Sequence, residues 1–494
     1  MTEEYADLGE LPHGWIRTRL GEIAEVILGQ SPPSSSYNED RKGLPFYQGK
    51  LEFGRLHPTP RKWCTASKKI AQEGDVLISV RAPVGPTNVC PAESCIGRGL
   101  AAIRGLGGIG TLFILYLLRA FENEIARKGT GTTFSAIGGD QLKKLEVPLP
   151  PLNEQVRIVA KLEELFARLD AGVEGLRKVK AQLKCYRQAV LKYAFEGKLT
   201  EEWRKTHEEQ IEPASKLLER IKQERKEKLG TKYKELPPID ASEPPKLPES
   251  WLSIRLGEIS ERMQYGTSEK ASPKPSGIPV LRMGNIQEGK IVFDGLKYFH
   301  EDWSQLNEFL LNDGDVLFNR TNSAELVGKT AVYREHLPKA VFASYLIRVQ
   351  TDKTVYIPEI LSFFINSFYG RRYISSVVSQ QVGQANVNGT KLSLMPIPLM
   401  QHQEQIVIQQ EIERCFSIAD EMEEATKQSL KQAELLRQSI LKVAFEGKLV
   451  PQDPDDEPAD KLLERIKEER AISKGEHGKN ENKPRQLELS NYVK

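Results

Sequence analysis

"LKYAFEGKLT" (Leu191–Thr200) and "LKVAFEGKLV" (Leu441–Val450) stand 250 residues apart in a chain of 494. The same helix ending is written twice, and the text around it matches in the same order. "LPHGWIRTRLGEIAE" from Leu11 is answered by "LPESWLSIRLGEISE" from Leu247, and "EGDVLISV" around Asp75 by "DGDVLFNR" around Asp315. "VPLPPLNEQVRIV" from Val147 is answered by "IPLMQHQEQIVI" from Ile397, and "ASKLLERIKQER" from Ala214 by "ADKLLERIKEER" from Ala459. One long unit is therefore written twice. Two copies of this length are not a solenoid of short repeats but a duplicated module with internal pseudosymmetry.

Each copy opens with a segment rich in glycine, proline and β-branched residues. Short runs such as "DVLIS", "LAAIR", "DVLFN" and "TAVYR" read there as strands between turns. One helical stretch interrupts it, "TLFILYLLRAFENEIARK" in the first copy and "PEILSFFINSFYGRRYIS" in the second. A long amphipathic helix follows. In the first copy Leu162, Leu169, Leu176, Leu183 and Val190 fall seven apart, with Leu165, Val179, Tyr186 and Tyr193 beside them. Gly172 and Gly175 interrupt that pattern and are expected to bend or weaken it. The second copy places Ile412, Ala419, Thr426, Ala433 and Ile440 on the same track, flanked by Met422, Leu436 and Val443.

The expected fold is α+β: two similar β-rich jaws separated by two long helices packed as an antiparallel coiled coil. The expected boundaries are residues 1–150 for the first jaw, 151–200 for the first helical spacer and 201–246 for a charged helix and proline-rich linker. Residues 247–400 form the second jaw, 401–470 the second spacer, and 471–494 an unstructured tail. A continuous helix from Glu154 to Glu196 would measure roughly 65 Å, so the jaws are expected to be held apart as in a calliper. The "KLLERIK" segments present Leu217, Leu218 and Ile221, and Leu462, Leu463 and Ile466, on one face, for packing on the coiled coil or on a partner subunit.

Composition narrows the class. Hydrophobic residues at 39% with 28% charged suit a globular protein with long polar helices, and five cysteines without pairing logic suit a reducing cytoplasm. Cys90 and Cys95 lack the second pair that a zinc site needs. The acidic "MTEEYADLGE" is no signal peptide, and "TLFILYLL" is too short to span a bilayer. The jaws are mildly basic, with 18 Lys and Arg against 12 Asp and Glu over residues 13–150, and 16 against 14 over residues 250–400. Two jaws that agree in framework pieces and differ elsewhere suit two different half-sites on a nucleic-acid duplex.

Three enzyme signatures fail on inspection. "GLGGIG" (105–110) has the dinucleotide-site spacing, but the second copy reads "VQTDKT" there, so a strand-to-helix loop is the stronger reading. "LVGKT" (326–330) lacks the phosphate loop's first glycine, because Ser323 occupies its place. The Pro-Pro pairs read "SPPS", "LPPL", "LPPI" and "EPPK", none of them the Asn or Asp followed by Pro-Pro and an aromatic of an adenine methyltransferase.

The "PLPPLNEQ" step into a long helix, the doubled "AFEGKL" ending and the "W-x-x-x-RLGEI" openings resemble the specificity subunit of type I restriction-modification enzymes, over almost the whole chain. The second copy departs from the family's "PLPPLxEQ" at Met400-Gln401-His402. The resemblance implies two target-recognition domains, each reading half of a bipartite double-stranded DNA site, with the helices as spacer and docking surface. It implies two methyltransferase subunits that bind S-adenosylmethionine, and motor/nuclease subunits that use ATP and Mg2+. It implies no catalytic, cofactor or metal site in this chain.

Base readout needs polar donors and acceptors at loop positions. In the first jaw the candidates are Gln30, Ser31 and Tyr37 in "GQSPPSSSY", then Gln48, Lys50, Arg81 and Arg98, and Lys128, Thr132 and Thr133 in "KGTGTTFS". In the second they are Tyr265, Thr267, Arg282, Asn285, Asn319, Arg320, Asn322, Ser344, Gln381, Gln384 and Asn386. For each, an ordinary solvated side chain is the competing reading. Trp15 and Trp251 read as core anchors and not as base-stacking residues. The competing function is a scaffold whose jaws bind proteins; a self-sufficient modification enzyme would need a methyl-donor site that the sequence lacks.

Overall fold

The computed structural model describes residues 10–129, 136–239, 246–381 and 384–480. These divide into two compact units. One takes the described residues up to Leu176 together with those from Gln428 onward, and the other is Arg177–Lys427.

Each unit is built on one jaw. In the first, the strands Ala24–Leu28, Leu100–Gly105, Val76–Ser79 and Thr87–Val89 form an antiparallel sheet in that order. In the second, Ser260–Tyr265, Leu346–Thr351, Val316–Asn319 and Thr330–Val332 repeat it. The inner strands Val76–Ser79 and Val316–Asn319 are buried on both faces, as their unbroken apolar runs require. The shared "GDVL" is explained by an ion pair. Asp75 receives Nε and Nη2 of Arg104, each at 2.8 Å, and Asp315 receives Nη1 of Arg348 at 3.2 Å and the Gln350 amide at 2.7 Å. The preceding glycines, Gly74 at φ +84° and Gly314 at φ +85°, make the turn that delivers these carboxylates.

The two long helices, Leu152–Phe195 and His402–Phe445, are both 44 residues long and contribute one half to each unit. Within each unit the two halves run antiparallel. Gly172 and Gly175 do not interrupt the helix: both are exposed, and a Cβ at either would meet nothing. The seam is also narrower than a heptad pair. Leu162, Leu183, Val190, Ile412, Ala419 and Thr426 are buried as expected, but Tyr186, Tyr193, Met422 and Leu436 are exposed. Phe166 and Ile408 take the inward places, because straight helices drift from a seven-residue repeat.

The doubled ending closes both helices identically. Lys198 N–H reaches Tyr193 O at 2.9 Å and Gly197 N–H reaches Ala194 O at 3.0 Å, while Lys448 and Gly447 do the same to Val443 and Ala444. Gly197 and Gly447 both sit at φ +72°. Each ending docks on the opening of a jaw, and the jaw is the other copy's. A Cβ on Gly197 would lie 2.3 Å from Cγ of Pro248, and one on Gly447 would lie 2.2 Å from Cγ of Pro12. Trp15 and Trp251, buried at 6% and 5% exposure, complete these junctions from the core. Trp15 Nε1 donates to Glu154 at 2.9 Å and Trp251 Nε1 to Glu404 at 2.7 Å.

The "KLLERIK" helices pack on the jaws, not along the coiled coil. Ala214–Leu229 buries Leu217 and Ile221 in the second jaw's core, and Arg225 donates to Ser260 O at 2.7 Å. Ala459–Asn480 buries Leu462 and Ile466 in the first, and Arg470 donates to Gly21 O at 2.8 Å. This second helix begins after a break at residues 446–458. It also runs to Asn480, past the boundary expected at 471, because extending an existing helix costs far less than starting one. The rest of the expected tail lies outside the described residues. Residues 233–239 of the proline-rich linker form neither helix nor strand, and Arg255 donates there to Pro237 O and Pro238 O, while residues 240–245 lie outside the described residues.

The glycine loop 105–110 has a packing role. Gly107 is at φ +58°, and a Cβ there would lie 2.4 Å from Cγ1 of Ile466, so the loop seats the last helix. Among the described residues no helix is long and apolar enough to cross a membrane.

Candidate nucleic-acid interface

Parallel strand pairing concentrates polar residues at one rim of each jaw. In the first jaw Leu44–Tyr47 runs parallel to Ser94–Ile96, with Tyr47 opposite Ile96. Two chains leaving a sheet in the same direction deliver Gln48 and Arg98 to the same edge. Gln30 joins them through its N–H to Ile96 O at 3.0 Å, and Ser31 accepts the Arg98 N–H at 3.3 Å. Two glycines allow this crowding. A Cβ on Gly29 would lie 2.2 Å from Gly97 O, and one on Gly99 would lie 2.2 Å from Gln48 O. Arg81 is adjacent, since Val80 N–H reaches Gly99 O at 2.9 Å.

Gln30, Gln48, Lys50, Arg81 and Arg98 are exposed. Tyr37 is not aimed outward: its ring stacks on Phe46 at 4.6 Å and its hydroxyl donates to Pro32 O at 2.8 Å. It holds the loop that carries Gln30 and Ser31. Lys128 is tied to Glu124 at 2.6 Å at the end of its own helix. Thr132 and Thr133 lie outside the described residues.

The second jaw repeats the rim with different side chains. Ile278–Leu281 runs parallel to Val341–Phe342, with Leu281 opposite Phe342, and their ends deliver Arg282 and Ser344. Thr267 is locked between them, with its N–H to Phe342 O at 3.0 Å and its carbonyl taking Ser344 N–H at 2.8 Å. Arg320 lies 4.8 Å over the Tyr265 ring and donates to Ser344 O at 3.3 Å and to the Asn386 side chain at 3.4 Å. Tyr265 in turn accepts Gly389 N–H at 2.6 Å. Thr267, Arg282, Asn322 and Ser344 line a recess of about 1850 Å³ with Lys184 and Gln188 of the long helix.

Three candidates are spent inside the fold. Thr267 is 5% exposed, and its hydroxyl accepts the Glu269 N–H at 3.1 Å. Asn285 is buried, accepts Arg282 N–H at 2.9 Å and donates to Val292 O and Asp294 O at 2.9 and 2.8 Å, so it clips the turn that follows Arg282. Asn319 is fully buried beside Leu326 O. None of the three can reach a base edge. Gln381 and Gln384 pair across the strands Ser379–Gln381 and Gln384–Asn386, the second of which also pairs with Thr321–Asn322.

The structure adds residues that polar type in a loop did not single out. Lys184 and Gln188 stand four apart on the long helix, away from its seam, and Lys329 and Arg371 line the same recess. Burial lowers the Arg371 pKa, although its guanidinium stays a donor, to Val327 O and, at 2.8 Å, to Glu325 O. An i, i+4 polar pair facing away from the apolar stripe was the available signal.

A model of the type I restriction modification DNA specificity domain matches residues 12–177 and again 248–434. The EcoKI type I restriction enzyme specificity subunit of Escherichia coli K12 is 27% identical over 94% of this chain and 98% of its own length. The StySPI specificity subunit of Salmonella potsdam is 26% identical over the same shares. The MjaX specificity subunit of Methanocaldococcus jannaschii is 39% identical, over 39% of this chain and 45% of that protein. Among solved structures, the HsdS subunit of Thermoanaerobacter tengcongensis is 51% identical over 33% of this chain and 40% of that one, with a TM-score of 0.31. The S subunit of M. genitalium is 14% identical over 91% and 98%, with a TM-score of 0.34.

Proposed function

The chain belongs to the type I restriction modification DNA specificity family, and from that premise we propose that its two jaws read two separated blocks of one double-stranded DNA target. The observation that carries this reading is the repeated rim. The same strand ends, in the same pairing, present Gln30, Gln48 and Arg98 in one jaw and Arg282 and Ser344 in the other. A common scaffold with different hydrogen-bonding groups is what two different half-sites require.

The chain is a non-catalytic subunit of an enzyme complex acting in the cytoplasm. Methylation belongs to two methyltransferase subunits that carry S-adenosylmethionine, and cleavage to motor/nuclease subunits that use ATP and Mg2+. The long helices offer those partners a docking surface. They expose Tyr186, Ile418 and Met422 in one unit and Leu435 and Leu436 in the other, and exposed apolar residues in this number mark a surface made to be covered.

Mapping methylated adenines in the genome of the source organism tests the reading. A split motif, with two short defined blocks around a fixed unspecified gap, is expected; a continuous motif, or none, refutes it. In the same assay the double variant Gln48→Ala with Arg98→Ala should blur one block only. Its discrimination should fall about tenfold or more, the order of one good base contact.

A further inference from the structure

Three residues recur at a spacing of 250 and meet in the same way in both units: Phe166 and Phe416, Asp170 and Asp420, Arg187 and Arg437. In one unit Asp170 receives the guanidinium of Arg437 from the antiparallel helix, and that guanidinium lies 4.6 Å over the Phe166 ring. In the other, Asp420 receives Arg187 at 2.7 Å, and Arg187 lies 5.5 Å over Phe416. Each carboxylate then takes a second cation, from a jaw. Asp170 pairs with Arg55 of the first jaw, and Asp420 pairs with Lys290 at 2.8 Å, at the tip of a hairpin of the second. The aromatic ring of each node also meets its jaw, Tyr116 edge-on to Phe166 at 5.5 Å and Phe363 edge-on to Phe416 at 5.9 Å.

Nothing in the sequence-level match of the jaws requires this. Arg55 stands in a loop and Lys290 opens a short strand, yet both supply a positive charge to the equivalent carboxylate. An aspartate between two cations from two different elements ties those elements together, and removing it leaves two like charges facing each other. Burial pushes the Asp420 carboxyl up, but its hydrogen bonds from Lys290 and Arg187 outweigh that and hold it below the usual carboxylate value.

We propose that the two nodes are the joints that fix each jaw on its helices, so that Asp170 and Asp420 are positioning residues for the gap between the two DNA blocks. This rests on the two-block reading above. The carboxylates of the joints lie at the edge of the cores that hold the rings, since Asp170 and Asp420 keep 24% and 44% of their side chains exposed, so they govern orientation more than folding.

The test is selection of bound duplexes by the full-length chain from a DNA pool randomised in base sequence and in gap length. The unsubstituted chain should select two blocks at one gap. Asp170→Ala or Asp420→Ala should keep both blocks and raise the share of duplexes with a gap one base pair longer or shorter, on the order of fivefold for the loss of one ion-paired tie. Asp170→Glu and Asp420→Glu should restore the single gap. Arg55→Ala and Lys290→Ala, at side chains 81% and 72% exposed that no core depends on, should loosen it without affecting folding. Higher salt should loosen the unsubstituted chain in the same direction. A single unchanged gap in all four alanine variants overturns the joint while leaving the two-block reading standing. An unsubstituted chain that selects no second block overturns that reading, and the joint with it.

Discussion

Replacing Glu404 by glutamine should destabilise its unit by about 3 kcal/mol, in the range for a buried charge that loses its partner, whereas the same change at its counterpart Glu154 should cost little. The two carboxylates occupy equivalent places beneath Trp251 and Trp15, but their other neighbours differ. Glu404 is fully buried and takes hydrogen bonds from Arg204 at 2.6 Å, Thr200 at 2.8 Å and Trp251 at 2.7 Å. Glutamine would leave the Arg204 guanidinium, whose side chain is 15% exposed, without a counter-charge and would set an amide NH2 against either Arg204 or the Trp251 Nε1–H. Glu154 instead takes its hydrogen bonds from two neutral groups, Trp15 at 2.9 Å and Gln452 at 3.0 Å. Burial raises its pKa, and the Trp15 bond only partly offsets that.

A carboxyl raised in the folded state favours folding fully below its unfolded value and loses that contribution as pH rises through the folded one. Glu154→Gln removes this titration. Its stability relative to the unsubstituted chain should therefore rise between mildly acidic and neutral pH. Peptide-resolved hydrogen exchange at both pH values separates the two units. Equal losses for Glu154→Gln and Glu404→Gln would show that Arg204 contributes nothing special.

Alanine at Gly447 should be the second large loss, about 3 kcal/mol or more from a left-handed backbone carrying a side chain and an overpacked junction together. The residue sits at φ +72°, and its new Cβ would lie 2.2 Å from Cγ of Pro12 and 3.3 Å from the Trp15 ring. Pro12 is a ring fixed in the chain and cannot swing aside as a flexible side chain would. Gly197→Ala meets the same obstacle at Pro248, 2.3 Å away. Gly172→Ala is the control. It lies within a helix with nothing near its Cβ, and it should stabilise by roughly 0.5–1 kcal/mol. Guanidinium unfolding of the three variants decides it: the same chemical change should act with opposite sign at the helix end and at the helix middle.

The duplication, the β-rich jaws, the long helices and the buried tryptophans were legible because each is a pattern along the chain. What was not legible is which copy meets which. Two identical endings look the same whether each closes on its own jaw or on the other's, and only the contacts of Gly197 with Pro248 and Gly447 with Pro12 decide. The seam departs from the seven-residue count at Tyr186, Tyr193, Met422 and Leu436, which are exposed, because that count ignores helix drift. Asn285 and Asn319 were grouped with the rim because an amide that clips a turn and one that could read a base are the same residue type. The joints leave no trace in the sequence because Arg55 and Lys290 occupy unmatched segments, and charge complementarity between distant segments has no local signature.

The exchanged helix ends also bear on how the chain is made. The first jaw's core includes Leu441, Phe445, Leu462 and Ile466, from the far end of the sequence. The other unit is one uninterrupted stretch, Arg177–Lys427. During translation the first jaw leaves the ribosome early and must wait for residues synthesised after the whole second jaw, while the second has all its core residues sooner. The chain therefore completes its later jaw before its earlier one. A premature stop codon ahead of Ala459 would strike the jaw that was made first.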